Sequence, residues 1–394
     1  MEIPADRPGL HQLRVAFFTP GNLGPHHTAR FQRLLTAYPH ARVVNVRWED
    51  PRQWDADPAV FQGRLTVIEG IPGQDFARTG TAAVLSFLQH YRPEVVVLAG
   101  YNDVTQIAAA RWAKKHRVAR ILQSDSWYGD RPRYRLKECI KRYVYIQPHF
   151  EAGFVPGERA CRYLQSLGVP PQAIWRGSYV VDNDYFSQQA AQVRRDPLAT
   201  RRRLALPSDY FLTVARLSPE KNIARLLEAF RRYRERGGTW SLVVVGDGPL
   251  AGPLRALAQP QGRSQVIFAG WRHYDELPAY YALAGCLVLP SISEPWGLVV
   301  NEAMACGLPV LVSRQCGCLP ELCRPGVNGW DFDPRDADGL SHLLSRIADG
   351  SLDLKALGAA SRRLISGFSL DSWLDSLTDC MVATGRRRPP PEAP

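Results

Sequence analysis

The sequence predicts two α/β domains, each a doubly wound parallel sheet. Three observations carry that prediction. At 394 residues the chain exceeds the size at which one hydrophobic core keeps growing, and its 45% hydrophobic content suffices for two cores. Short apolar runs alternate with helix-patterned stretches from end to end, as parallel strands joined by crossover helices do. A stretch rich in Gln, Ala and Arg, residues 187–207, interrupts that alternation near the middle and reads as the link between halves.

In order, the first half offers strands at 13–19, 94–99 and 120–123, and a short one around Phe154. The second half offers strands at 210–214, 242–245, 266–268, 286–289 and 309–312. The expected division is residues 1–190, then 191–369. Residues 370–383 carry apolar side chains at helical spacing after the second domain is complete, and the basic, proline-rich residues 384–394 are expected to be a disordered tail.

Net charge is +11, from 49 basic and 38 acidic residues, which suits nucleic acid, an anionic membrane surface or a phosphorylated small substrate. A nucleic-acid role is not expected, because no recognisable binding module interleaves aromatic with basic residues. The opening M-E-I-P-A-D-R-P-G-L has the pattern of neither a signal peptide nor an anchor, so a cytoplasmic setting and reduced cysteines are expected. Cys316, Cys318 and Cys323 cluster, but their spacing lacks a paired C-x2-C or nearby histidine, and loop packing is preferred to zinc. No metal is expected.

The segment from Ser293 to Val312, S-E-P-W-G-L-V-V-N-E-A-M-A-C-G-L-P-V-L-V, carries the most chemistry. Glu294 and Glu302 stand eight residues apart around a glycine-led helix start. If all eight positions were helical, the carboxylates would lie roughly 12 Å apart, about the span from a sugar across a diphosphate to a ribose. The first N–H groups, of Gly297, Leu298 and Val299, would lack intrahelical partners and suit a phosphate. V-A-R-L-S-P-E-K-N, from Val214 to Asn222, ends a strand and opens a helix, placing Arg216 and Lys221 at the carboxyl edge of a sheet. V-V-V-G-D-G-P-L puts Gly246 in a turn where bare backbone can approach a ligand. F-A-G-W-R-H offers Trp271 or Arg272 to stack on a ring.

The string L-P-S-I-S-E-P-W-G-L-V-V-N-E-A-M-A-C-G-L-P-V and these neighbours resemble the signature of retaining glycosyltransferases of family 4. The resemblance implies the GT-B fold: two Rossmann-like domains facing a cleft, with the terminal helix crossing back to the first. It implies Arg216 and Lys221 neutralising a nucleotide diphosphate, Glu302 pairing with ribose hydroxyls, and Glu294 near the transferred sugar. The donor would be a UDP-sugar first and a GDP-sugar second. The acceptor would be a glycan, a lipid-linked molecule or a small molecule, and transfer would be metal-independent. An epimerase or phosphorylase on the same architecture is the rival reading. The family's G-G-x-x-E loop is incomplete, since residues 315–321 read Q-C-G-C-L-P-E.

In the first domain, T-P-G-N-L-G-P-H-H places Gly21 where the resemblance puts the loop facing the diphosphate. His26 and His27 are acceptor candidates, against a surface turn capping a helix. Where family members carry a histidine near the reacting carbon, this strand reads I-L-Q-S-D-S-W-Y, with Ser124 at that position and Asp125 next. Asp125 is the candidate to orient the sugar, against capping of the next helix. Asn102 and Asp103 line the acceptor pocket or cap a helix. V-V-D-N-D-Y-F, from Val180 to Phe186, is a candidate hinge. The basic run from Arg131 to Arg142 is a candidate for peripheral contact with an anionic membrane, against a solvated basic face.

Overall fold

The computed structural model describes residues 12–21, 23–47, 58–69, 75–101, 103–258 and 265–386. They divide into two units. The first comprises the chain to Trp127, Arg133–Val180 and the chain from Leu370 onward; the second comprises Tyr128–Pro132 and Val181–Ser369.

The first unit runs β1 (Val15–Pro20), α1 (Pro25–Ala37), β2 (Arg42–Arg47), β3 (Leu65–Glu69), α2 (Phe76–Tyr91), β4 (Val95–Ala99), α3 (Val104–Lys115) and β5 (Ala119–Gln123). It continues through α4 (Arg135–Ile140), which passes into a π-helical turn (Lys141–Ile146), then β6 (Ala152–Val155), α5 (Glu158–Ser166) and β7 (Ile174–Arg176). The strands form one parallel sheet in the order β3-β2-β1-β4-β5-β6-β7. Phe18, Val44, Val96, Leu98 and Leu122 are buried in its core, each worth about 1.5–3 kcal/mol of transfer free energy.

The second unit runs α6 (Asn183–Val193), α7 (Pro197–Leu204), β8 (Tyr210–Val214), α8 (Ile223–Glu235), β9 (Ser241–Val245), α9 (Ala251–Leu257), β10 (Val266–Gly270) and α10 (Leu277–Leu283). Then follow β11 (Cys286–Leu289), α11 (Leu298–Ala305), β12 (Val310–Ser313), β13 (Gly329–Phe332), α12 (Ala337–Ala348) and α13 (Leu354–Ile365). Its sheet is also parallel, in the order β10-β9-β8-β11-β12-β13. The last helix, α14 (Leu370–Arg386), belongs to the first unit. Its Trp373 is buried with ring centroids of Phe17 and Phe154 each 6.4 Å away, and Thr378 shares a 2.8 Å hydrogen bond with the Tyr38 hydroxyl.

Four features differ from the sequence expectation. Strands β2, β3, β7 and β13 were not expected: β3, β7 and β13 are edge strands without a full apolar run, and β2 holds a buried Asn45 between charged ends. Residues 187–207 are no loose link, because most of them lie in α6 and α7. Arg194 anchors this segment to the second unit, its guanidinium donating to the carbonyls of Ala282 (3.0 Å) and Cys306 (2.7 Å). The unit boundary therefore falls at Val180 rather than near 190. Residues 384–386 continue α14, and the rest of the expected tail, 387–394, lies outside the described residues.

Candidate functional site

In a doubly wound sheet, ligands bind beyond the carboxyl ends of the strands where the strand order reverses. In the second unit that point lies between β8 and β11. After β8 the chain passes under the Gly246 turn: Ala215 N–H donates to the Val245 carbonyl (3.0 Å) and Leu217 N–H to that of Asp247 (2.9 Å). Gly246 has φ +133°, and a Cβ there would sit 1.9 Å from the Ala215 carbonyl oxygen. The close approach expected of this glycine is thus made to protein backbone. The same passage leaves Arg216 exposed.

The next turn carries Lys221. Asn222, left-handed at φ +57°, donates from Nδ2 to the carbonyls of Pro290 (3.0 Å) and Pro334 (2.9 Å), and Ile292 N–H donates to the Glu220 carbonyl (2.9 Å). These bonds tie the loop after β8 to the loop after β11. They bring Lys221 Nζ to 2.5 Å from Glu294 Oε2, with the side chains 21% and 11% exposed. Ser291 Oγ donates to the same oxygen at 3.4 Å. The Glu294 carbonyl accepts the Gly317 N–H (2.9 Å), which fixes the backbone beneath the carboxylate.

The two glutamates do not share a helix. Pro295 has no N–H, Gly297 is left-handed at φ +105°, and α11 begins only at Leu298. The expected 12 Å helical spacing is therefore not realised; Glu294 sits on the preceding loop. Gly297, Leu298 and Val299 do head the helix, whose first turn closes with Val300 N–H on the Gly297 carbonyl (2.9 Å). Glu302 is 2% exposed, and its Oε2 accepts the Tyr281 hydroxyl proton. Burial and the Glu302 charge push the Tyr281 phenol well above its ordinary range, so it stays a donor. Trp271, just beyond β10, packs edge-on to His273 at 4.2 Å, while the Arg272 guanidinium lies 5.8 Å from the Tyr280 ring and 3.5 Å from Glu276. Cys316, Cys318 and Cys323 are buried in the loop after β12, and burial pushes the Cys323 thiol up to about 12, so it packs as a neutral group.

In the first unit the order reverses between β1 and β4. Gly21 follows β1 with φ +72°. Its N–H donates to the Val46 carbonyl (3.1 Å), and its own carbonyl accepts Asn45 Nδ2 (2.7 Å), so the buried Asn45 of β2 holds the loop. His27 is partly buried over Phe31, at 6.2 Å between centroids. Burial, then the charges of Arg30 and His26, lower it to about 3, so near neutrality it is an uncharged packing group. His26 offers its carbonyl to Arg30 Nε (3.1 Å). Asp103 caps α3, accepting Thr105 N–H at 2.7 Å, and Asn102 lies outside the described residues.

Asp125 follows β5 and caps no helix, since α4 begins at Arg135. Its Oδ2 accepts the Tyr179 hydroxyl at 2.9 Å. The buried Arg30 lies 5.5 Å from the Tyr179 ring and donates to the Ser178 carbonyl (2.7 Å). An Arg30–Tyr179–Asp125 chain thus links α1, beside the Gly21 loop, to the ends of β5 and β7. Sequence reasoning missed Asn45, Tyr179, Asn222 and Tyr281. Each acts through a partner distant in sequence, and no local pattern announces it.

The model of the glycosyl transferases group 1 matches residues 199–364. Residues 199–364 belong to this family. Every second-unit candidate, from Arg216 to Glu302, lies within this group 1 module. The chain is similar to the amylovoran biosynthesis glycosyltransferase AmsK of Erwinia amylovora, 32% identical over 206 residues, 50% of this chain and 48% of the relative. It is also similar to the MMP alpha-(1->4)-mannosyltransferase of Mycolicibacterium hassiacum, 31% identical over 261 residues, 66% of this chain and 56% of the relative. The chain spans about half the length of the curated relatives it matches. A glycosyltransferase from Rickettsia africae shares the GT-B fold at TM-score 0.74 and 13% identity, over 95% of this chain and 99% of that one. HepE of Anabaena, solved with UDP, does so at TM-score 0.72 and 15% identity, over 94% and 100%. The group 1 module is thus joined to a first unit that the family model does not cover.

Proposed function

We propose that this chain is a retaining hexosyltransferase, moving a sugar from a nucleotide diphosphate donor to an acceptor hydroxyl. The observation that carries the reading is the 2.5 Å Lys221–Glu294 pair at the strand-order reversal of the group 1 module. A cation there meets the diphosphate, on which negative charge grows as the bond from sugar C1 to phosphate oxygen breaks. Arg216, exposed on the same loop, adds a second cation, so the two side chains supply the charge without a metal. The start of α11 at Gly297, Leu298 and Val299 adds N–H donors.

As Lys221 turns to phosphate, Glu294 accepts a hydrogen bond from a sugar hydroxyl. Glu302, held by Tyr281, pairs with the ribose through its remaining acceptor capacity, and Trp271 or Arg272 stacks on the base. The acceptor oxygen bonds to C1 on the face the phosphate leaves, and its proton passes to the departing phosphate oxygen, so configuration is retained with no protein nucleophile. Asp125, positioned by Tyr179, orients the reacting sugar. UDP is the first candidate nucleotide. GDP is the second, since a similar protein of Mycolicibacterium smegmatis is GDP-mannose-dependent. The acceptor is a glycan, a lipid-linked molecule or a small molecule.

A thermal-shift panel of UDP, GDP, ADP, TDP and their sugars tests the reading. One diphosphate at about 100 times its Kd should stabilise by roughly 2.7 kcal/mol. A panel in which none shifts the transition would end the proposal.

A further inference from the structure

We propose that the outward face of α4 and its π-helical continuation docks on an anionic phospholipid bilayer. The inference does not depend on the transferase reading. The inward face of this segment is satisfied by protein. Arg133 donates to the Tyr163 hydroxyl (2.6 Å), that hydroxyl donates to Glu138 Oε2 (2.6 Å), Lys141 Nζ lies 2.6 Å from Glu138 Oε1, and Ile146 is buried. The one carboxylate of the segment is therefore spent inside.

The outward face carries aliphatic, aromatic and basic side chains with the Cys139 thiol, and no carboxylate of the segment. Leu136 is 74% exposed, Tyr134 61% and Tyr143 60%, with Ile140 and Val144 also exposed. Five of the twelve exposed large hydrophobic side chains among the described residues fall in these eleven positions, so this is a patch rather than ordinary scatter. Leu136, Ile140 and Tyr143 repeat at helical spacing along one stripe. The exposed Arg135 and Lys137 flank it, with the Lys137 ammonium 5.2 Å from the Tyr134 ring and the Arg142 guanidinium 5.2 Å from that of Tyr143. Long cationic stems and aromatic rings at one level match the headgroup layer of a bilayer, with aliphatic side chains reaching toward the acyl boundary. Leu136, Ile140 and Val144 give a nucleic acid nothing to bind. Among the described residues no helix is long and apolar enough to cross a membrane, so contact through this face is peripheral.

Cys139 lies on this segment and is exposed, whereas the other seven cysteines are buried, so a thiol-reactive environment-sensitive fluorophore labels it selectively. The test uses the full chain with vesicles of equimolar phosphatidylcholine and phosphatidylglycerol, followed by co-sedimentation and by probe emission. The proposal expects sedimentation and a blue shift, both abolished by high salt and absent with phosphatidylcholine alone. Unlabelled Cys139→Ser should sediment like the wild type. Arg135→Gln/Lys137→Gln should weaken binding roughly fivefold per charge. Leu136→Glu/Ile140→Glu should weaken it at least tenfold with an unchanged melting temperature, since both side chains face water. Any of four results would overturn the proposal: no sedimentation of the wild type, equal binding to neutral vesicles, indifference to both double variants, or a wild-type dimer that Leu136→Glu/Ile140→Glu dissolves.

Discussion

Replacing Lys221 by Met removes the cation from the Lys221–Glu294 pair while keeping most of the side-chain volume. At 2.5 Å and an effective dielectric near 20, the gross attraction is about 6–7 kcal/mol, most of it offset by desolvation of both groups. Deleting one partner of a fully buried pair costs about 3–5 kcal/mol. These side chains retain 21% and 11% exposure, so about 2–3 kcal/mol is the better figure. For a unit of this size that lowers Tm by roughly 5–10 °C. Lys221→Met/Glu294→Gln should recover part of the loss, because it no longer strands a carboxylate. The same substitution should weaken the preferred nucleoside diphosphate by roughly 10- to 100-fold, the worth of a charge-assisted hydrogen bond, and leave the nucleoside unaffected. Scanning calorimetry and titration calorimetry read the two effects. A Lys221→Met protein with wild-type Tm and wild-type diphosphate affinity would rule out both roles given to Lys221.

Gly246→Ala drives a Cβ to within 1.9 Å of the Ala215 carbonyl oxygen, so the loop carrying Arg216 must shift; calorimetry should show a loss above about 2 kcal/mol. Tyr179→Phe removes the hydroxyl that holds Asp125 and should cost about 1 kcal/mol of stability, while kcat falls and KM for the donor stays close to wild type. His27 titrates near 3 in the fold and near 6.5 unfolded, so the unfolded chain binds the extra proton between those values. Its stabilising contribution is complete above pH 6.5 and is lost as pH falls toward 3, at most about 2 kcal/mol between pH 7 and 5. His27→Gln should flatten that part of the stability profile in denaturant titrations.

The second unit was legible because β8, β9, β11 and β12 are central, continuous apolar runs and its motifs are contiguous. The segment from Val214 to Asn222 and the one from Ser293 to Val312 each lie where the sheet order reverses. The first unit was less so. Its β2 reads R-V-V-N-V-R, in which charged ends and a buried Asn45 disguise a core strand; the asparagine is there to hold Gly21, a partner 24 residues away. The helix spacing of Glu294 and Glu302 misled, although Pro295 and Gly297 stand between them: α11 starts only at Leu298 and leaves Glu294 on the loop before it. Tyr281 and Tyr179 were invisible for the same reason as Asn222: what they do is set by carboxylates and carbonyls that only the tertiary fold brings near. The position of Arg194 shows the converse, where a polar stretch that looks like a linker is tied down by two carbonyls.

Glycosyl transfer with retention can be followed without knowing the acceptor, because water can stand in for it. Proton NMR of the protein with an α-linked sugar of its preferred nucleotide, in the presence of EDTA, follows slow donor hydrolysis and records the anomer released before mutarotation. The α anomer should appear first, together with the free nucleoside diphosphate. Release of the β anomer first, or no cleavage of any donor in the panel, would contradict transfer with retention.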